Sequence, residues 1–315
     1  WRGMRFFAIE YCEQNRDVLA PRPAIVRELS DLLHRGLGIT AFFDALDRTM
    51  GEVVPFDASC WLGLDPATLL PTSHFTRETE VDQMMEVAAN EILDEDVNKF
   101  TDLAKRKVPV GLLSEATAGA PELSKRYRDI LVPHGFAHGD ELRAVFLDDG
   151  SAWGCVTLHR REGAFSRAEA QTVADLGATY IAEGIHRAVM TTTLRADGGT
   201  NVPGLILVGP DGVIESMTRP AARMLDELVD STQSLANLPL MVSTLVTRVR
   251  RAQAGAIGEM ATARLPRRSG GWLVLYGSTL GDVPETSRVG IMVYPEHAPQ
   301  LPPAVAAAYA LSSRE

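Results

Sequence analysis

Two apolar segments, Glu141 to Leu147 and Ala152 to His159, are divided by Asp148-Asp149-Gly150. An Asp-Gly pair tolerates the positive φ angles of a tight hairpin turn, so this stretch is committed to antiparallel β structure. The same chemistry recurs at Pro210-Asp211-Gly212, which divides Leu205-Ile206-Leu207-Val208 from Val213-Ile214. Between the hairpins the periodicity is helical. Ser166 precedes Glu169 at capping-box spacing and opens a stripe of Val173, Leu176, Tyr180, Ile181, Ile185 and Val189 running towards Met190. Hairpins interleaved with helices predict an α+β fold of two tandem domains, each an antiparallel sheet flanked by helices.

The remaining segments fill in that plan. Ile25, Leu29, Leu32 and Leu33 before Gly36 and Gly38, then Phe42, Leu46 and Met50 after them, predict two helices. Ala58 to Leu64, closed by Asp65-Pro66, reads as a strand and turn with Thr72 to Thr76 as its hairpin partner. Helices are expected over Val81 to Leu93, with Met84, Met85, Ala88 and Ile92 on one side, and over Pro121 to Leu131. In the second half, helices bearing Ala221, Met224, Leu225 and Leu228 and spanning Leu240 to Arg251 precede three strands: Gly258 to Leu265, Trp272 to Ser278 and Val289 to Tyr294. Asp197-Gly198-Gly199 interrupts every pattern and marks a linker. The chain therefore divides into an N-terminal extension (1–22), a first domain (23–195), a second domain (200–297) and a tail (298–315).

A length of 315 residues suits two domains of the common ~100 to 150 residues better than one. The 45% hydrophobic content supplies both cores. No apolar run approaches the ~20 residues of a membrane helix, and the opening residues lack the pattern of a signal peptide, so a cytoplasmic protein with no membrane partner is expected. Cys12, Cys60 and Cys155 form neither a CxxC pair nor a set with His at metal spacing, so reduced thiols and no metal are expected. The net charge of -10 is concentrated before residue 200, because residues 200–298 balance nine Arg against nine acidic residues. An acidic domain is a poor binder of phosphate backbones, so DNA contact would need another segment.

Val54-Pro55-Phe56-Asp57-Ala58, Leu64-Asp65-Pro66-Ala67-Thr68, Pro133-His134-Gly135-Phe136, Asp140-Glu141-Leu142-Arg143 and Trp153-Gly154 with Leu158-His159-Arg160 resemble the GAF-like sensor of LuxR-type transcriptional regulators. The second domain resembles a PAS domain: strand, Asp-Gly turn, strand, then Thr218-Arg219-Pro220-Ala221-Ala222, with Thr218 where Asn is commoner. Ala308-Tyr309-Ala310-Leu311-Ser312-Ser313-Arg314-Glu315 is similar to the opening of a LuxR-type helix-turn-helix. The resemblance implies a non-enzymatic ligand-sensing and regulatory portion of a bacterial regulator, with DNA bound only through a C-terminal helix-turn-helix domain. It also implies that a ligand signal travels through the 166 to 190 helix and the second domain. No cofactor and no ligand identity can be read from the residues.

The aromatics Trp61, Phe75 and Trp153, with Cys155, are the candidate ligand-binding residues, since aromatic walls with a few polar groups suit a small-molecule pocket. Alternation places Cys60 opposite Trp61, and Trp153, Cys155 and Thr157 on one face. The alternative for each aromatic is plain core filling. No catalytic residue is assigned. Cys60 and Cys155 could serve a thiol enzyme reducing a small sulfoxide, but buried, inert cysteine is the commoner case. His134, His138 and His159 lack ligand spacing. Asp140, Glu141 and Arg143 read as a solvated turn, and Arg248, Arg250 and Arg251 as a solvated helix end. Val173, Tyr180, Ile181 and Ile185 are candidates for a helix-to-helix homodimer seam, with packing on their own sheet as the alternative. A ligand-free dimerisation scaffold is the third functional reading.

Overall fold

The turn that anchors the sequence argument has positive φ at both central residues, 46° at Asp149 and 77° at Gly150, and it pairs Asp148 with Ser151. It joins β4 of a five-stranded antiparallel sheet to β5, the strands being β1 (Ala58–Leu64), β2 (Pro71–Arg77), β3 (Val110–Leu112), β4 (Glu141–Asp148) and β5 (Ser151–His159). Their order is β2-β1-β5-β4-β3. At the β1–β2 turn, Asp65 Oδ1 accepts from Ala67 N at 3.0 Å and Oδ2 accepts from Thr68 Oγ1 at 3.2 Å, which is how an Asp-Pro sequence stabilises a reversal. The computed structural model describes residues 23–193, 202–228, 239–253, 261–281 and 287–296. The expected N-terminal extension, the Asp197-Gly198-Gly199 linker, Cys12 and the tail from 298 lie outside the described residues.

Helices α1 (Pro23–His34) and α2 (Ile39–Gly51) cover one face of this sheet. So do α4 (Arg167–Leu176) and α5 (Ala182–Thr193), while α3 (Val81–Leu93) stands over the other face. The expected capping box is present: Ser166 Oγ accepts from Glu169 N, and the Glu169 carboxylate accepts from Ser166 N. The long helix is not uniform, however. A wide π turn, Gly177–Ile181, separates α4 from α5. A Cβ at Gly177 would lie 2.8 Å from the Phe146 ring, so glycine lets this turn rest on the sheet. The Pro121 to Leu131 segment also differs from the expected single helix. It is a 3-10 turn, Pro121–Leu123, followed by a π turn, Tyr127–Leu131, because Ser124 Oγ accepts from Tyr127 N at 3.2 Å and starts the winding afresh.

The second sheet comprises β6 (Gly204–Val208), β7 (Ile214–Met217), β8 (Ala261–Pro266), β9 (Trp272–Leu280) and β10 (Arg288–Pro295), in the order β7-β6-β10-β9-β8. Ile206, Val208, Leu275 and Ile291 face α6 (Arg219–Asp226) and α7 (Leu240–Gln253). Thr218 caps α6, its hydroxyl accepting from Ala221 N at 3.5 Å. The two halves interlock: Trp272 of β9 is buried in the first core, and Leu70 and Met84 join the second. The fold is α+β with two antiparallel sheets flanked by helices, as the sequence predicts.

Candidate functional site

On the sheet face turned towards α3, alternate residues of β1, β4 and β5 leave a cavity of about 530 Å³. Its second wall is α3 and its third is α7 of the other half. Leu62, Met84, Ala88, Val145 and Leu240 make most of it apolar. Arg248 and Arg251 on α7 reach across the junction, Arg248 donating to the carbonyl of Thr68 at 2.8 Å and Arg251 to that of Ile92. Arg250 donates to the carbonyl of Gly209 at 2.6 Å. The basic cluster expected to be a solvated helix end instead stitches α7 to its neighbours, because these long side chains find carbonyls exposed at turns and a helix end.

Beneath the cavity lies a buried charge array. Glu141 and Arg143 are fully buried and Asp140 is 5% exposed, so the expected solvated turn is not found. Period-two alternation turns both Glu141 and Arg143 to the cavity face, where neither can stay in water, and each has taken a partner. Arg126, itself fully buried, donates from Nε to both Glu141 oxygens at 3.0 and 3.1 Å and from Nη2 at 2.6 Å. Arg143 donates from Nη2 to Glu91 at 2.9 Å and from Nη1 to the carbonyl of Asn98 at 3.0 Å, with Phe100 stacked 3.7 Å from its guanidinium carbon. Burial pulls the Glu141 carboxyl upward, but the Arg126 charge and then that of Arg143 outweigh it and hold its pKa at about 2. Burial pushes His159 down to about 4, against the pull of Glu141 and with the repulsion of Arg126 and Arg143, so its imidazole is neutral at pH 7.

No protein-family description and no curated protein matches the chain. Solved structures do. The ligand-binding domain of VqsR from Pseudomonas aeruginosa aligns at 15% identity and TM-score 0.37, covering 53% of this chain and 96% of that one. The E. coli DhaR(N)–DhaL complex aligns at 13% identity and TM-score 0.22, covering 88% of this chain and 92% of that one. Bacteriophytochrome RpBphP3 from R. palustris aligns at 11% identity and TM-score 0.30, covering 89% of this chain and 64% of that one.

The four residues chosen from the sequence as ligand contacts are dispersed, and none lines the cavity. Trp61 is in the core on the opposite face, stacked between Phe43 and Phe146, with its indole N–H donated to Asp47 Oδ1 at 2.8 Å. Phe75 packs half-buried against that same core. Trp153 does not share a face with Cys155. A β-bulge shifts the register so that Gly154 faces Phe146 and Ala152 faces Leu147, which turns Trp153 to the helix side, stacked on His186 at 4.4 Å. Cys155 is on the cavity side but sealed beneath it with Leu64, Leu103, Val145 and Ala152. Cys60, not chosen, does line the cavity. Burial pushes its thiol up to about 12, despite the Arg143 charge, and raises Cys155 well above its ordinary value.

The seam residues are likewise spent. Val173, Ile181 and Ile185 are fully buried in the chain's own first core, and Tyr180 packs half-buried against it. Their stripe therefore covers their own sheet. The three histidines do not converge: His134 lies 3.8 Å from both Glu80 and Glu86, His138 is at the isolated bridge to Glu162, and His159 is on the cavity wall. Asp148, Glu183 and His186 bring potential ligand atoms within 4.8 Å of one another. A hydrogen bond between His186 and Asp148 at 3.2 Å and an ion pair between Glu183 and Arg187 at 2.5 Å account for this grouping. Among the described residues, no helix is long and apolar enough to cross a membrane.

The residues that do build the cavity wall, Gln83, Glu91, Arg143, His159 and Arg248, were not chosen from the sequence as a set. One signal was present. Glu141 and Arg143 stand two apart in an otherwise apolar strand, which places two charges side by side on one face.

Proposed function

We propose that the chain is the ligand-sensing and regulatory portion of a bacterial LuxR-type transcriptional regulator, acting without catalysis on a helix-turn-helix output domain whose opening residues 308–315 resemble. The observation that carries this reading is the cavity walled by both halves. A molecule lodged there touches α7 directly, so its binding free energy depends on where the second half sits, and that dependence is what allows a ligand to shift a conformational equilibrium. The route runs through α7. The 166 to 190 helix expected to carry the signal lies across the sheet from the cavity. A thiol enzyme is disfavoured: with Cys60 near 12, its thiolate fraction at pH 7 is on the order of one in a hundred thousand.

Cavity filling tests the reading. Ala88→Trp in the intact regulator is expected to abolish the mass difference between native and denatured protein recovered from its host, and to lock operator affinity at one value. Wild-type protein that carries no small molecule, together with an Ala88→Trp variant whose operator affinity responds as wild type does, would overturn it.

A further inference from the structure

Resting on that sensing reading, we propose that the cavity takes an apolar molecule bearing one carboxylate, with the head group received by Arg143, Gln83 and His159. All three side chains line the cavity, and each keeps one polar atom without a hydrogen-bond partner: Arg143 Nε, Gln83 Nε2 and His159 Nδ1. They are 0%, 2% and 2% exposed, so solvent does not serve them. A buried polar group left unpaired costs ~1 to 3 kcal/mol, and three around one cavity, two on the sheet wall and one on α3, are explained together by an occupant that pairs them.

The chemistry of that occupant follows from the atoms on offer. Arg143 Nε and Gln83 Nε2 are N–H donors with no accepting role. His159, kept neutral by its burial, offers Nδ1–H in one of its tautomers. The two terminal nitrogens of Arg143 are already committed to Asn98 and Glu91, which fixes the guanidinium and leaves Nε as its unpartnered donor. Charge points the same way. Arg143, Arg248 and Arg251 line the space against Glu91, three positive groups to one negative. Donors on a net-positive wall call for a head that accepts and is anionic. An ammonium would face N–H groups and like charge, and a hydroxyl would satisfy fewer of the donors. The rest of the lining, Leu62, Met84, Val87, Ala88 and Leu240 among it, suits an aliphatic or aromatic body.

Isothermal titration of the full chain with decanoate, decan-1-ol and decylamine, each below its aggregation threshold, decides the matter. Decanoate is expected to bind one to one, at least about tenfold tighter than decanol, and decylamine not to bind; a charge-assisted hydrogen bond of ~1.5 to 3 kcal/mol sets that scale. Gln83→Leu, which removes a donor without disturbing the buried charges, is expected to weaken decanoate about tenfold and leave decanol unchanged. Decanol or decylamine binding as tightly as decanoate, or a Gln83→Leu variant with unaltered decanoate affinity, would overturn the carboxylate assignment while leaving the cavity as a sensor site. Absence of binding by all three probes would overturn both this assignment and the sensing reading.

Discussion

Replacing Arg126 by Met removes the cation that holds Glu141, and the structure sets the size of the effect. The guanidinium meets the carboxylate in three contacts between 2.6 and 3.1 Å, and neither side chain is exposed. Holding the carboxyl at about 2 instead of its ordinary 4.5 corresponds to about 3 kcal/mol at neutral pH. A buried carboxylate stranded by loss of its partner costs about 3 to 5 kcal/mol. Arg126→Met is therefore expected to lower stability by about that amount in urea denaturation at pH 7, seen as a lower midpoint with an unchanged slope. Glu141→Leu should also destabilise, since it leaves the buried Arg126 only the longer 3.8 Å contact with Asp96 as an ion pair. The paired variant Arg126→Met with Glu141→Leu should cost less than either alone, because it removes both charges and leaves apolar groups of similar volume. Additive losses in the double variant would refute the claim that the two groups act as one pair.

Two further outcomes follow from the same array. Stability should fall as the solution is acidified in two overlapping stages: His159 takes its proton in the unfolded chain near 6.5 but in the folded chain only near 4, so its contribution is lost as pH falls through that range, and Glu141's is lost between 4.5 and about 2. A melting temperature that stays flat from pH 7 to pH 3 would contradict both assignments. In a Cys12→Ser background, Cys60 and Cys155 are expected to resist a thiol reagent at pH 8 until denaturant is added, and rapid labelling of the native chain would show that burial does not control them.

Elements whose cause is local were legible in the sequence. The Asp149-Gly150 and Asp211-Gly212 turns, the Asp65 turn and the Ser166 capping box each depend on residues within a few positions of one another, and each is present. The site was not legible, for reasons that are physical. Gln83, Arg143, His159 and Arg248 come from four elements, and Arg248 joins the other three only when α7 packs on α3. Trp61 seemed available as a ligand wall because nothing near it in sequence shows that Asp47, on α2, takes its indole N–H. Trp153 was placed on the wrong face because strict alternation does not foresee a bulge. The adjacent Gly154 was the available hint, since a Cβ there would meet Ile185 at 2.5 Å and the carbonyl of Leu62 at 2.7 Å. The stripe of Val173, Tyr180, Ile181 and Ile185 stood open between a homodimer seam and packing on its own sheet, because a long apolar stripe does not say which partner it has.

The shared strand order has a consequence for how such a chain can be assembled. In both sheets the first strand lies beside the last, with Ala58 opposite His159 in one and Gly204 opposite Val293 in the other. Each sheet is thus a loop of chain whose entering and leaving strands lie one strand spacing apart, ~5 Å; in the second half these are nearly the ends of the half itself, whereas in the first α1 and α2 precede β1 and α4 and α5 follow β5. The second half can therefore be spliced out, or exchanged for another unit, with almost no gap left for the flanking chain to bridge.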